Sequence, residues 1–102
     1  MSCMQMILHS GNARSNAHEA IDKIKGKDFE DAKELLLTAK GELREAQKTH
    51  ASLLREMASE KDVPINLLLI HAEDHVATSE IVLDMANELF DVYEILANRK
   101  EY

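Results

Sequence analysis

Residues Phe29 to Met57 read FEDAKELLLTAKGELREAQKTHASLLREM, and Phe29, Ala32, Leu36, Ala39, Leu43, Ala46, His50, Leu53 and Met57 are separated by alternating threes and fours. That interval follows the turn of a helix and not the two-residue alternation of a strand. It predicts a helix over residues 29–59 with one apolar seam, in which large and small side chains alternate so that helices approach closely. Gly41 lies off the seam. His50 is its polar member, and a histidine hydrogen-bonded within the packing is the ordinary reading of such a residue.

Upstream, Lys25-Gly26-Lys27-Asp28 breaks the pattern. Gly26 suits the left-handed position after a helix, and Asp28 suits the N-cap of the next. A first helix is expected from Met4 to Lys25, with Met4, Ile7, Gly11, Ile21 and Ile24 near one side. Gly11 in mid-helix costs about 1 kcal/mol relative to Ala, which points to close approach by a neighbouring group. Arg14 and His18 continue the line from Gly11; the stem of Arg14 can cover apolar surface.

Downstream, residues 59–64 form the second connection, with Asp62 as a cap and Pro64 in the first turn of a third helix expected over Ile65–Asn98. The charged tail from Arg99 to Tyr102 is expected to fray. Two short connections between three long helices predict an all-α, antiparallel up-down-up three-helix bundle, a single domain over residues 1–102. Helices of about 30 residues are about 45 Å long and make a thin rod with a limited core. The seam of the second helix and the apolar line of the third are therefore expected to bury further surface against copies of the chain, as a parallel trimer or dimer with coiled-coil-like packing.

Composition agrees. Only 4% of residues are aromatic, so the core must be built from Leu, Ile, Ala and Met, and three Gly with one Pro leave little material for turns and sheets. A formal net charge of −7 argues against binding nucleic acid or docking on an anionic membrane. The lone Cys3 allows no internal disulfide and fits a reducing cytoplasm. Neither a signal peptide nor an apolar run of transmembrane length is expected.

The chemistry concentrates in Leu67-Leu68-Leu69-Ile70-His71-Ala72-Glu73-Asp74-His75-Val76-Ala77-Thr78. On an ideal helix His71, Asp74, His75 and Thr78 share one line, which continues through Val82, Met85, Leu89, Val92, Tyr93 and Leu96. Glu73, Glu80, Asp84, Asn87, Asp91 and Glu94 fall on the opposite side, where water is expected. Ionisable groups on a packing line cost free energy unless they are paired or used. Three readings follow. The histidines are satisfied core residues; or His-x3-His holds a metal; or an imidazole takes up and releases a phosphoryl group, with His75 or Thr78 as donor to the phosphoryl oxygens.

The run from Leu69 to Ser79 resembles the H-A-Q-D-H-L-M-T-S signature of the lactose/cellobiose (chitobiose) type of enzyme IIA in the bacterial sugar phosphotransferase system. Ser10-Gly11-Asn12-Ala13-Arg14-Ser15 is similar to that family's S-G-x-A-R-S element, and Gly26-Lys27-Asp28-Phe29 to its G-D-F. The sequence departs from the pattern at Glu73, where Gln is usual, at Val76 and Ala77, and at Gln47 and His50, where the family often has E-A-H-x-x-Q-T.

The resemblance implies a cytoplasmic homotrimer of three-helix bundles and a phosphotransferase component. His71 would accept a phosphoryl group from the phosphocarrier HPr and pass it to a cysteine of a IIB component, in uptake of a β-disaccharide. His75 would be its hydrogen-bonding neighbour, and Asp74 would gather around a divalent metal, Mg2+, on the trimer axis. Three like carboxylates meeting in a packed interior need a cation or proton between them. His50, Thr78, Arg14 and Gly11 are candidates for lining the pocket. The competing reading is a non-catalytic helical scaffold with a structural His/Asp metal site.

Overall fold

Helix α1 spans Ser2–Lys25, α2 spans Phe29–Ala58 and α3 spans Leu67–Asn98 in a computed structural model that describes residues 2–59 and 62–99. No strand occurs among the described residues. The tail beyond Arg99, and Glu60 and Lys61 of the second connection, lie outside them. The body measures 57 × 19 × 18 Å, the thin rod expected from helices of this length.

The seam of α2 packs as its spacing predicts as far as Leu53, whereas Met57, its last member, is exposed. Ala32, Leu36, Ala39, Leu43 and Ala46 are buried, and Phe29, His50 and Leu53 are half-buried. This packing lies within the chain, against α1 and the far end of α3, so the α2 seam is not left over for a second copy. Phe29 meets Phe90 of α3 edge to face, with ring centroids 5.7 Å apart.

On α1 the buried stripe is Met6, Ser10, Ala13, Ala17, Ala20 and Ile24, and not the line through Met4 and Gly11. Met4 is exposed. Serine and alanine carry weak hydrophobic signals, so the stripe is faint in sequence. Their small size nevertheless lets α2 and α3 close on α1 from both sides. Gly11 does not mark the close approach: a β-carbon there would meet nothing within 4 Å in this chain. The intimate contact is one residue earlier, where the buried Ser79 hydroxyl of α3 donates to the Ser10 carbonyl at 2.9 Å.

The first connection is a Schellman turn. The Asp28 N–H donates to the Lys23 carbonyl at 2.8 Å and the Lys27 N–H to the Ile24 carbonyl at 2.9 Å. The left-handed residue is Lys27, with φ 62°, and not Gly26. A β-carbon in that conformation costs about 1 kcal/mol or more. Lys27→Gly should therefore stabilise the fold by roughly 0.5–1 kcal/mol, after the larger chain entropy that glycine brings to the unfolded state. A raised urea midpoint checks this, and a lowered one contradicts it. Asp28 occupies the N-cap of α2 as expected, but its side chain makes no capping bond.

Helix α3 starts two residues later than expected. Asn66 is its N-cap, in extended backbone, and its Oδ1 accepts from the Leu69 N–H at 2.9 Å. That bond satisfies one of the orphan donors of the first turn. Pro64 and Asp62 remain in the non-helical connection.

The buried stripe of α3 is Leu69, Ala72, Val76, Ser79, Leu83, Ala86 and Phe90. It is not the line through the polar cluster: His71, Asp74 and Thr78 are exposed and His75 is half-buried. The helix carries a second, outward row, again spaced by fours and threes: Leu67, His71, Asp74, Thr78, Ile81 and Met85. Leu67, Ile81 and Met85 are 81%, 63% and 57% exposed, and Val92 and Ile95 continue the row at 50% and 51%.

Candidate functional site

The i, i+4 spacing in the second and third turns of α3 brings two imidazoles face to edge. His75 Nε2 and His71 Nε2 are 3.1 Å apart, with ring centroids 4.5 Å apart at 84°. One ring must donate and the other accept, so the contact requires at least one neutral imidazole. Burial, helped by His71 and the Arg14 guanidinium and opposed by Asp74, pushes His75 below the usual histidine value. His75 is therefore neutral at pH 7. A neutral ring beside His71 can serve as a hydrogen-bond partner without adding charge.

Arg14 reaches this cluster from α1. Its Nη2 donates to Thr78 Oγ1. The Thr78 hydroxyl in turn donates to the Asp74 carbonyl at 2.8 Å. The neighbouring Ser79–Ser10 bond sets the register that puts Arg14 opposite Thr78. Two buried nitrogens here, Arg14 Nε and His75 Nδ1, have no hydrogen-bond partner among the described residues.

On its other side His71 borders a shallow, mainly apolar hollow of about 380 Å³ formed with Leu67 and Leu68. A nucleophilic imidazole at such a rim is open to a docking protein and is desolvated once one covers it. A larger groove of about 560 Å³ lies between α2 and α3, lined by Leu36, Leu43 and Phe90 with Lys40 and Arg44 facing Asp84 and Asp91. Neither histidine of the cluster lines it.

Of the residues singled out in the sequence, His71, His75, Thr78 and Arg14 come together, with Asp74 on the same outward row. Gly11 borders open space. His50 does not join the cluster. Its Nδ1 lies 2.6 Å from Oε1 of Glu73, which is half-buried against α2 and not turned to water. Gln47 similarly donates to Glu80 at 3.3 Å. Two of the departures from the family's pattern, His50 and Glu73, are thus each other's partners, and they tie α2 to α3 beside the site.

Within the cluster, the outward row of α3 places one carboxylate, Asp74, with no hydrogen bond to its side chain among the described residues; Glu88, exposed on the same row, lies further along between Met85 and Val92. Among those residues no group of three His, Cys, Asp or Glu could hold a metal ion within one chain. One carboxylate alone is too few ligands for a metal site within one chain.

Comparison with known proteins agrees with this arrangement. Residues 1–94 match the model of the family described as the lactose/cellobiose specific IIA subunit of the PTS system. The chain belongs to that family.

Among its relatives, the lichenan-specific phosphotransferase enzyme IIA component of Bacillus subtilis is 38% identical over 96 residues, covering 94% of this chain and 87% of the relative. The cellobiose-specific enzyme IIA of Bacillus anthracis superposes with a TM-score of 0.91 at 36% identity, covering 95% of this chain and 89% of that one. The IIA(chitobiose) structure solved in complex with HPr from Escherichia coli superposes with a TM-score of 0.78 at 31% identity, covering 94% and 93%. As a IIA subunit of this type, the chain is a phosphotransferase component of sugar uptake.

Two features of this IIA subunit do not show in a helical projection. One is the Glu73–His50 pair, because a helical projection of α3 alone does not say where α2 lies. The other is the outward apolar row, whose signal lies in the alternating spacing from Leu67 to Met85 but merges there with the buried stripe.

Proposed function

We propose that this IIA subunit carries a phosphoryl group on His71, received from phospho-HPr and passed to a cysteine of a IIB component during uptake of a β-disaccharide. The observation that carries the reading is the His71–His75 pair at 3.1 Å, open to solvent at an apolar rim. The lone pair of the His71 imidazole attacks phosphorus in line, the bond from phosphorus to HPr breaks as the new N–P bond forms, and the IIB thiolate later reverses the process at His71. His75 holds the ring of His71, fixing its tautomer. Catalysis is mostly positioning and stabilisation of phosphoryl charge. Docking with HPr is supported by the likeness to the IIA(chitobiose) chain of the HPr complex.

The same reading includes assembly. Contact order supports an up-down-up bundle: His9 and Lys23 of α1 pair with Glu42 and Asp31 of α2, in reverse order along the helix. The outward row of α3 supports a parallel homotrimer about that helix, with coiled-coil-like packing. The chain exposes 6777 Å², against roughly 5,800 Å² expected of a compact monomer of its mass. In such a trimer the Asp74 carboxylates would hold a divalent cation, Mg2+, which would offset their mutual repulsion. The match over residues 1–94 supports a single domain. No helix among the described residues is long and apolar enough to cross a membrane, which is compatible with a cytoplasmic protein.

Intact mass after incubation with phosphoenolpyruvate, enzyme I and HPr tests the proposal. The expected result is one acid-labile phosphoryl group that maps to His71. An assembled chain that takes up none would overturn the carrier reading and favour a structural scaffold.

A further inference from the structure

A phosphoryl group on His71 would bring close to two negative charges at neutral pH. It would arrive on a chain of formal net charge −7, on the same helix row as Asp74. The backbone of α3 has no donor to spare there, because N–H groups in the helix interior are already bonded to carbonyls one turn back. The phosphoryl oxygens must be met by side chains. Thr78 has given its hydroxyl proton to the Asp74 carbonyl. Arg14 has donors left over: one guanidinium nitrogen bonds Thr78, while its Nε is buried without a partner. An unused charged donor in a buried position is costly to keep unless it is spent in some other state of the protein.

Resting on the carrier reading, we infer that Arg14 is the counter-ion of the phosphoryl group, leaving Thr78 to pair with the phosphoryl oxygens when His71 is loaded. The geometry allows the move. Thr78 lies two helical turns from His71, and His75, one turn from His71, leans back towards it as helical side chains do. The guanidinium therefore needs to swing by roughly one turn, about 5 Å, which the flexible stem of arginine spans while α1 stays fixed by the Ser79–Ser10 bond. Its planar fork matches two phosphoryl oxygens at once. In the unloaded protein Thr78 parks the guanidinium clear of the His71–His75 contact, leaving the nucleophile accessible. Once HPr or IIB excludes water from the apolar rim, a fixed positive charge on the chain itself stabilises phosphoryl in either direction of transfer.

The test compares wild type, Arg14→Gln and Arg14→Lys for the equilibrium constant of transfer from phospho-HPr to His71, at low and high salt. The Nε–H resonance of Arg14 in the wild type is followed before and after phosphorylation. Arg14→Gln should lower the constant about tenfold, a charge-assisted bond discounted for partial exposure. Arg14→Lys should recover part of the loss, high salt should narrow the gap, and the Nε–H resonance should shift on loading. Equal constants for wild type and Arg14→Gln, with an unmoved Nε–H resonance, would overturn the inference while leaving the carrier reading intact. A wild type that takes no phosphoryl overturns both. Should Arg14→Gln fail to fold, the Nε–H resonance of the wild type decides alone.

Discussion

His71→Ala should abolish phosphoryl uptake, leaving no acid-labile modification on intact mass after incubation with the complete donor system. Of the two imidazoles in the cluster, His71 is the exposed one on the outward row, open to a docking protein beside Leu67 and Leu68. His75 is half-buried, has its Nδ1 enclosed without a partner, and points its Nε2 at His71. It is placed to support a nucleophile and not to meet a donor protein. His75→Gln should therefore keep His71 modifiable but slow transfer, by roughly 100-fold if its hydrogen bond acts in the transition state. Uptake that survives in His71→Ala and vanishes in His75→Gln would reverse the two roles. The His71→Ala chain should keep its helicity, because the removed ring is exposed.

The second large effect concerns assembly. If the proposed homotrimer forms about α3, Ile81→Glu should convert it to a monomer, read by light scattering on a sizing column, with the helical signal retained. Ile81 is 63% exposed in the single chain, so the substitution removes little of its core. In a trimer about α3 the same site would meet its own copies. Three isoleucines that each gain roughly 1.5–3 kcal/mol from burial would be replaced by three like charges. By contrast, Ala86→Glu on the buried stripe of the same helix should unfold the chain. A mass unchanged by Ile81→Glu would mean that the outward row is not the interface.

Much of the fold was legible because α2 states it plainly: leucines and alanines at alternating threes and fours have one reading, and the seam from Phe29 to Leu53 packs as written. The ends of helices were less legible. Gly26 looked like the left-handed residue, yet the turn's hydrogen bonds put Lys27 there. Pro64 looked like the start of α3, yet the side chain of Asn66 caps it. Both outcomes depend on competition between local bonds that composition does not rank. The site was legible as a cluster, since i, i+4 spacing alone brings His71 to His75. The partner of Glu73 was not, because it comes from another helix.

Helical periodicity, a local property, was enough to place three long helices and to set two histidines, an aspartate and a threonine on one side of the last. Which side of α3 faces inward depended on packing between helices. Ser10, Ala13, Ala17 and Ala20 on α1 make a narrow bed that accepts the Leu69-to-Phe90 stripe of α3, tied by Ser79. That choice turns the His71 row outward and brings Arg14 to it from the other end of the sequence. Small residues set such a close fit through their size, which hydrophobic periodicity scarcely registers.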